Sequence, residues 1–169
     1  MIYKYKATIK ASKLFMREYE INGDISLYSL HDFFVNDLEF APDQMVVFRG
    51  LDNKDKLCSE YGLFDMGDGS MDSVTIDKTI AKGETTIHYI FDLNNDRALI
   101  LTLVSEVERS MRASYPRLVA EKGRNPDQFS KNYEDLEQYS ESAGVNEEAS
   151  FMDEELPEGE IGSETDEQY

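Results

Sequence analysis

The sequence predicts an α+β protein: a largely antiparallel sheet of about six strands, with one helix packed on a face. Three observations predict it. Residues 85–107, TTIHYIFDLNNDRALILTLVSEV, hold two long strand-like runs around a polar turn. Residues 2–21 repeat a two-residue alternation twice. Between these stretches Ser26 opens a run whose apolar residues recur at helical spacing. In the first stretch Thr85, Ile87, Tyr89, Phe91 and Leu93 alternate with Thr86, His88, Ile90 and Asp92, the period of a pleated strand. Asn94, Asn95 and Asp96 tolerate left-handed backbone. A positive backbone angle is therefore expected at Asn94 or Asn95. Residues 98–104 are almost wholly apolar, as suits a strand covered on both faces. This hairpin should lie at the centre of the sheet.

The remaining elements follow in chain order. Tyr3, Tyr5, Ala7 and Ile9 oppose Lys4, Lys6, Thr8 and Lys10, which makes a half-solvated strand. Ala11, Ser12 and Lys13 form the expected turn. Phe15, Arg17, Tyr19 and Ile21 then share a face, and Asn22-Gly23-Asp24 ends the strand. Ser26 can cap a free amide in the first helical turn. Leu27, Leu30, Phe34 and Leu38 make one stripe, and Pro42 is expected to stop the helix over residues 26–40. Residues 45–49 and 59–65 read as strands, and residues 66–73 as a loop. Residues 74–81 suit a two-turn helix closed by Gly83. Residues 106–114 read first as the end of the second hairpin strand and then as loop, with a helix capped by Ser105 as the alternative. Asn125-Pro126-Asp127 marks a short C-terminal helix striped by Phe129, Tyr133, Leu136 and Tyr139. The domain is expected to span residues 1–139.

Charge divides the chain unevenly. The 36 residues from Glu134 onward carry 14 acids and no base, whereas residues 1–133 carry 21 acids against 17 bases. The net charge of −18 therefore belongs mostly to the last fifth of the chain. Residues 140–169 read as a disordered acidic tail, because they hold too little apolar surface to offset their ordering entropy. Such a tail suits an unknown protein partner. It opposes nucleic acid, although Lys4, Lys6 and Lys10 share one strand face. The single Cys58 excludes an internal disulfide and a cysteine-based metal cluster, and fits a reducing cytoplasm. No run approaches the length of a membrane span.

Several motifs resemble the plasmid Ri open-reading-frame-3-like family, which also carries a transposon-passenger, TnpR-like label. They are Tyr89-Ile90-Phe91-Asp92-Leu93 with the long strand after it, Leu30-His31 in the first helix, Arg17, Tyr115-Pro116-Arg117 and Pro126-Asp127. The resemblance covers about residues 2–130 and implies a fold but little chemistry. The family's Phe-Gly-Asp turn is Leu93-Asn94-Asn95 here. Arg97 stands where the family has tryptophan, and Leu99 where it often has histidine. The family's late cysteine has no counterpart.

The candidate chemistry is sparse. His31, beside an apolar stripe, reads as a core or boundary histidine with a satisfied ring. Strand periodicity places His88 and Asp92 on one face, where they could form an acid–base or metal pair. Asp96 is the third candidate, but a metal needs further ligands in space. Asp65, Asp68, Asp72 and Asp77 invite a calcium reading. Counted from Asp68, Ser73 stands where the required glycine belongs and Thr79 where the bidentate glutamate belongs, so a plain acidic loop is the better account. No cofactor-binding signature occurs. The leading expectation is a cytosolic, non-enzymatic interaction or binding module of unknown ligand. Its rivals are a metal-dependent hydrolase-type enzyme using His88, Asp92 and Asp96, and a nucleic-acid-related protein tied to mobile elements.

Overall fold

The computed structural model describes residues 1–129. In chain order the elements are β1 (Ile2–Ile9), β2 (Ser12–Asn22), α1 (Leu27–Leu38), β3 (Val47–Leu51), β4 (Leu57–Tyr61), α2 (Ile76–Ala81), β5 (Thr86–Asp92), β6 (Arg97–Val107) and β7 (Arg117–Lys122). They form one sheet in the order β4-β3-β5-β6-β1-β2-β7, and every neighbouring pair is antiparallel. The expected hairpin, β5 with β6, is at its centre. The sheet has seven strands rather than about six, because residues 117–122 add an edge strand that sequence reading passed over.

One face of the sheet carries α1. Ser26 caps the helix through its side chain, which accepts from the Ser29 amide. The stripe Leu27, Leu30, Phe34 and Leu38 is buried against the sheet core. Aromatic rings fill the layer between helix and sheet. The Phe34 ring lies 5.0 Å from that of Tyr89 and 5.4 Å from that of Tyr19, and Phe48 lies 5.0 Å from Tyr89. Such tilted and edge-on contacts suit the quadrupoles of aromatic rings. Tyr19 also donates to Asp37 Oδ2 at 2.7 Å, which ties the polar end of a buried ring to the helix.

Local departures from the sequence reading have identifiable causes. The first turn uses Lys10 and Ala11, and Ser12 already pairs with Ile9, so Ser12 and Lys13 belong to β2. The helix α1 stops before Pro42: Glu39 adopts a left-handed cap, φ 60°, with its amide bonded to Val35. In the central turn Asp96 has the positive angle, φ 53°, and neither Asn94 nor Asn95 does. Asp92 accepts from both the Asn95 amide and the Asn95 side chain, which shapes the start of the turn and leaves the reversal to the last polar residue. The run 98–104 is not covered on both faces. Leu99 and Leu101 are buried, but Thr102 and Val104 are exposed, because among the described residues no second layer lies over the face opposite α1 at that end. Gly83 closes α2 with φ 85°, as its position implies.

Of the expected C-terminal helix, residues 130–139 lie outside the described residues, as does the tail at 140–169. The described part does not begin as the motif suggests. Asn125 spends its side chain elsewhere: Oδ1 accepts from Arg17, and Nδ2 donates to Glu39 Oε2 at 3.0 Å. Asp127 instead accepts from the Phe129 amide.

A buried polar cluster fixes the β3–β4 edge. Glu84 is fully buried and accepts from the Tyr61 hydroxyl, which in turn accepts from Lys82 at 3.1 Å. Gly50 leaves room for this carboxylate, since a Cβ there would run into Glu84. Glu84 cannot swing aside without taking the acceptor from the Tyr61 hydroxyl proton. Gly50→Ala should therefore destabilise the protein by about 1–3 kcal/mol, the usual cost of overpacking. Urea unfolding of the variant with an unchanged midpoint would show that the carboxylate is not held in place.

Candidate ligand-binding groove

The face of the sheet turned away from α1 carries a groove of about 290 Å³. Strand pairing assembles it. Arg49 on β3 lies opposite His88 on β5, and His88 lies opposite Ile100 on β6. Ile90 pairs with Ala98 one step along, and both line the same groove. Leu51 and the half-exposed Leu57 form one apolar wall, and Lys10 at the β1–β2 turn lies at the rim. The floor is apolar, and the edge carries Lys10 and Arg49 with the Asp96 carboxylate beside them.

Arg49 is fixed in place by its Nε, 2.7 Å from Glu60 Oε2. Its Nη1 reaches only to 3.6 Å from Asp96 Oδ1, and the Asp96 side chain is 80% exposed. That second pair is a weak surface contact. Burial holds the His88 ring below its ordinary pKa, and the Arg49 charge pushes in the same direction, with Asp55 and Asp96 opposing. At neutral pH His88 is thus an uncharged imidazole able to donate through one nitrogen and accept through the other. No described residue hydrogen-bonds to it.

Asp92 is not part of this groove. A register shift between Ile90 and Asp92 interrupts the two-residue alternation, so His88 and Asp92 do not line a common cavity. Asp92 lines a separate cleft of about 370 Å³ beside the hairpin turn, with Asn94, Asn95 and Phe129. Its Oδ2 lies 3.0 Å from Arg97 Nε and 2.9 Å from Asn95 Nδ2. Burial would raise the Asp92 carboxyl, but the hydrogen bonds from Asn95 and Arg97 together hold it below its ordinary value. Its contacts serve the turn. Asp96 lines the groove with His88. Among the described residues no three His, Cys, Asp or Glu side chains converge as a metal site would require.

The other singled-out residues have internal tasks. His31 is buried with Nδ1 2.8 Å from the Tyr89 hydroxyl, so its ring is satisfied. In the acidic loop Asp65 accepts from the amides of Gly67 and Gly69, and Asp68 from the amide of Glu60. Asp72 accepts from Ser70, and Asp77 from the Tyr3 hydroxyl. Two arginines carry a role the sequence did not disclose. Arg17, only 2% exposed, donates to the carbonyls of Met16 and Lys122 and to Asn125 Oδ1. Arg97 donates to the carbonyls of Asp127 and Gln128. Together they clasp the segment after β7 against β2 and the hairpin, while Asn125 ties it to the end of α1.

The family model for plasmid pRiA4b ORF-3-like proteins matches residues 2–156. The chain belongs to that family. In this member of the plasmid pRiA4b ORF-3-like family, Arg17, Arg97 and the Pro126-Asp127 step meet in the clasp, while Leu30-His31 and Tyr89 meet in the core. The motif positions thus hold the fold together. A crystal structure of a protein of unknown function from Methanosarcina mazei Go1 is similar to the chain, with a TM-score of 0.62 at 14% identity. The match covers 82% of this chain and 88% of that one, and shows a shared fold. No curated protein matches. Among the described residues no helix is long and apolar enough to cross a membrane.

Proposed function

We propose that this plasmid pRiA4b ORF-3-like protein is a non-enzymatic binding module. Its open sheet face takes a compact ligand with an apolar body and an anionic end. One observation carries the reading: the groove combines an apolar floor of Ile90, Ala98 and Ile100 with Arg49 and Lys10 at its edge. A concave, mostly apolar site with a few oriented polar groups is the usual form of a small-ligand site. An anion would displace the weakly held Asp96 from Arg49 and accept a hydrogen bond from His88. The module works in the cytosol, where the exposed thiol of Cys58 stays reduced. The acidic residues after Glu134 serve a protein partner.

Calorimetric titration with octanoate tests the site. The wild type should bind at one site, and Arg49→Ala should weaken binding by roughly 10-fold or more, the loss of one charge-assisted hydrogen bond. The second reading, a metal-dependent hydrolase, draws on His88 and Asp96 sharing the groove. A stoichiometric divalent ion, with hydrolytic turnover lost in His88→Ala and Asp96→Ala, would replace the first reading with the second.

A further inference from the structure

The loop over residues 62–73 carries three carboxylates and no base. Its tip is apolar: Leu63, Phe64 and Met66 are all exposed, Phe64 to 81%. The loop is held in one shape. Gly62 bridges to Ser70, the Met71 amide donates to the Gly62 carbonyl at 2.9 Å, and the Met71 side chain is fully buried. Inside this closure Asp65 accepts from the amides of Gly67 and Gly69. The same two bonds hold its carboxyl below the ordinary value, so Asp65 is ionised at neutral pH. A loop already ordered around an exposed ring has little conformational entropy left to lose on docking.

This tip is complementary to the groove on the open sheet face. The groove offers a floor of Ile90, Ala98 and Ile100, with Arg49 and Lys10 at its edge. The tip offers the Phe64 ring beside the Asp65 carboxylate. At about 290 Å³ the groove is at the small end of ligand sites, a size that suits one ring and its flank. Phe64 does not line the groove of its own chain. The carboxylates of the loop also turn the tip away from anionic membranes and from nucleic acid.

Resting on the reading of the groove as a site for an apolar body with an anionic end, we infer that its occupant is residues 63–66 of a second copy of this chain. Phe64 of one copy sits on the floor of the next, and Asp65 meets Arg49. The contact is heterologous, a tip into a groove, so it repeats from copy to copy. It is also small, which makes the association weak and concentration-dependent.

Two variants that each spoil one half of the contact test it by light scattering and sedimentation. At about 0.15 M salt, which screens the negative charge of the chain, the wild type should associate as its concentration rises to about 1 mM, where weak contacts populate. Phe64→Ser keeps the groove and loses the tip, and Ala98→Arg keeps the tip and fills the groove. Each should stay monomeric alone. Their equimolar mixture should form a one-to-one heterodimer that grows no further. Saturating octanoate should return the wild type to monomer. Circular dichroism checks that both variants fold, and Arg49→Glu replaces Ala98→Arg if that variant does not. Association that survives in either folded variant would overturn the inference, as would two folded monomeric variants that fail to pair. A wild type that binds octanoate yet stays monomeric at every concentration would overturn it and leave the reading of the groove standing. A wild type that does neither would overturn both.

Discussion

Replacing Arg17 with alanine is expected to cost on the order of 4 kcal/mol of folding stability. The guanidinium is buried, with its carbon 4.4 Å from the centre of the Phe15 ring. It donates to Lys122 at 2.8 Å and to Asn125 at 2.9 Å. Both partners lie in the stretch that fixes the end of β7 and its exit past α1. Removing the side chain takes the Arg17 donor from the part-buried Lys122 carbonyl and leaves a cavity over Phe15. Each effect alone costs about 1–3 kcal/mol or more. Arg17→Lys should recover little, because one ammonium cannot reach partners that a planar fork spans. Urea unfolding measures the loss, and amide exchange locates it. The amides of β7 should lose protection first. A midpoint within error of the wild type would show that the clasp is incidental.

Leu30→Ala should be nearly as severe, at roughly 2–5 kcal/mol, the range for truncating a leucine in a packed core. Leu30 is fully buried midway along α1 and belongs to the main core. Its neighbours on the stripe are held by rings packed from the sheet, so the site has little freedom to collapse. The contrast with an exposed position on the same helix is informative. Tyr28→Ala removes more atoms but from a side chain that is 42% exposed, so its cost should be smaller. If the two variants melt together, the stripe does not face the core.

The stripe of α1 and the alternation of β1, β2 and β5 were legible because burial on one face writes a period directly into the sequence. β7 was not legible. Its residues mix two basic, one acidic and three apolar side chains, and an edge strand with one half-covered face needs no strong alternation. The signals that mark it lie outside it: Pro116 before, and Gly123 with φ 80° after. The central turn failed differently. Asn94, Asn95 and Asp96 all tolerate positive φ, so composition could not choose among them, and the bonds made by Asp92 decided it. Residues 98–104 looked doubly buried because an apolar run records hydrophobicity and not which layers are present.

The candidate site was half legible. His88 and Asp96 stood out by type, and both line the groove. Arg49 did not, because it meets His88 across strands and such pairing follows from register rather than from any local spacing. Asp92 was grouped with His88 on periodicity alone, which a register shift between Ile90 and Asp92 interrupts. The roles of Arg17 and Arg97 depend on the return of residues 122–128 to both ends of the fold, a long-range contact that leaves no periodic trace.

The most direct test of the groove is the ring titration of His88 followed by nuclear magnetic resonance, with and without octanoate. In the free protein burial and Arg49 should keep His88 below its ordinary pKa of 6.5. An anion seated between Arg49 and His88 favours the charged imidazolium, so saturating octanoate should raise the His88 value toward or above 6.5, while His31, bonded to Tyr89 in the core, stays unchanged. A His88 titration that octanoate leaves where it was, or one that moves only in step with His31, would contradict the assignment of this groove as the binding site.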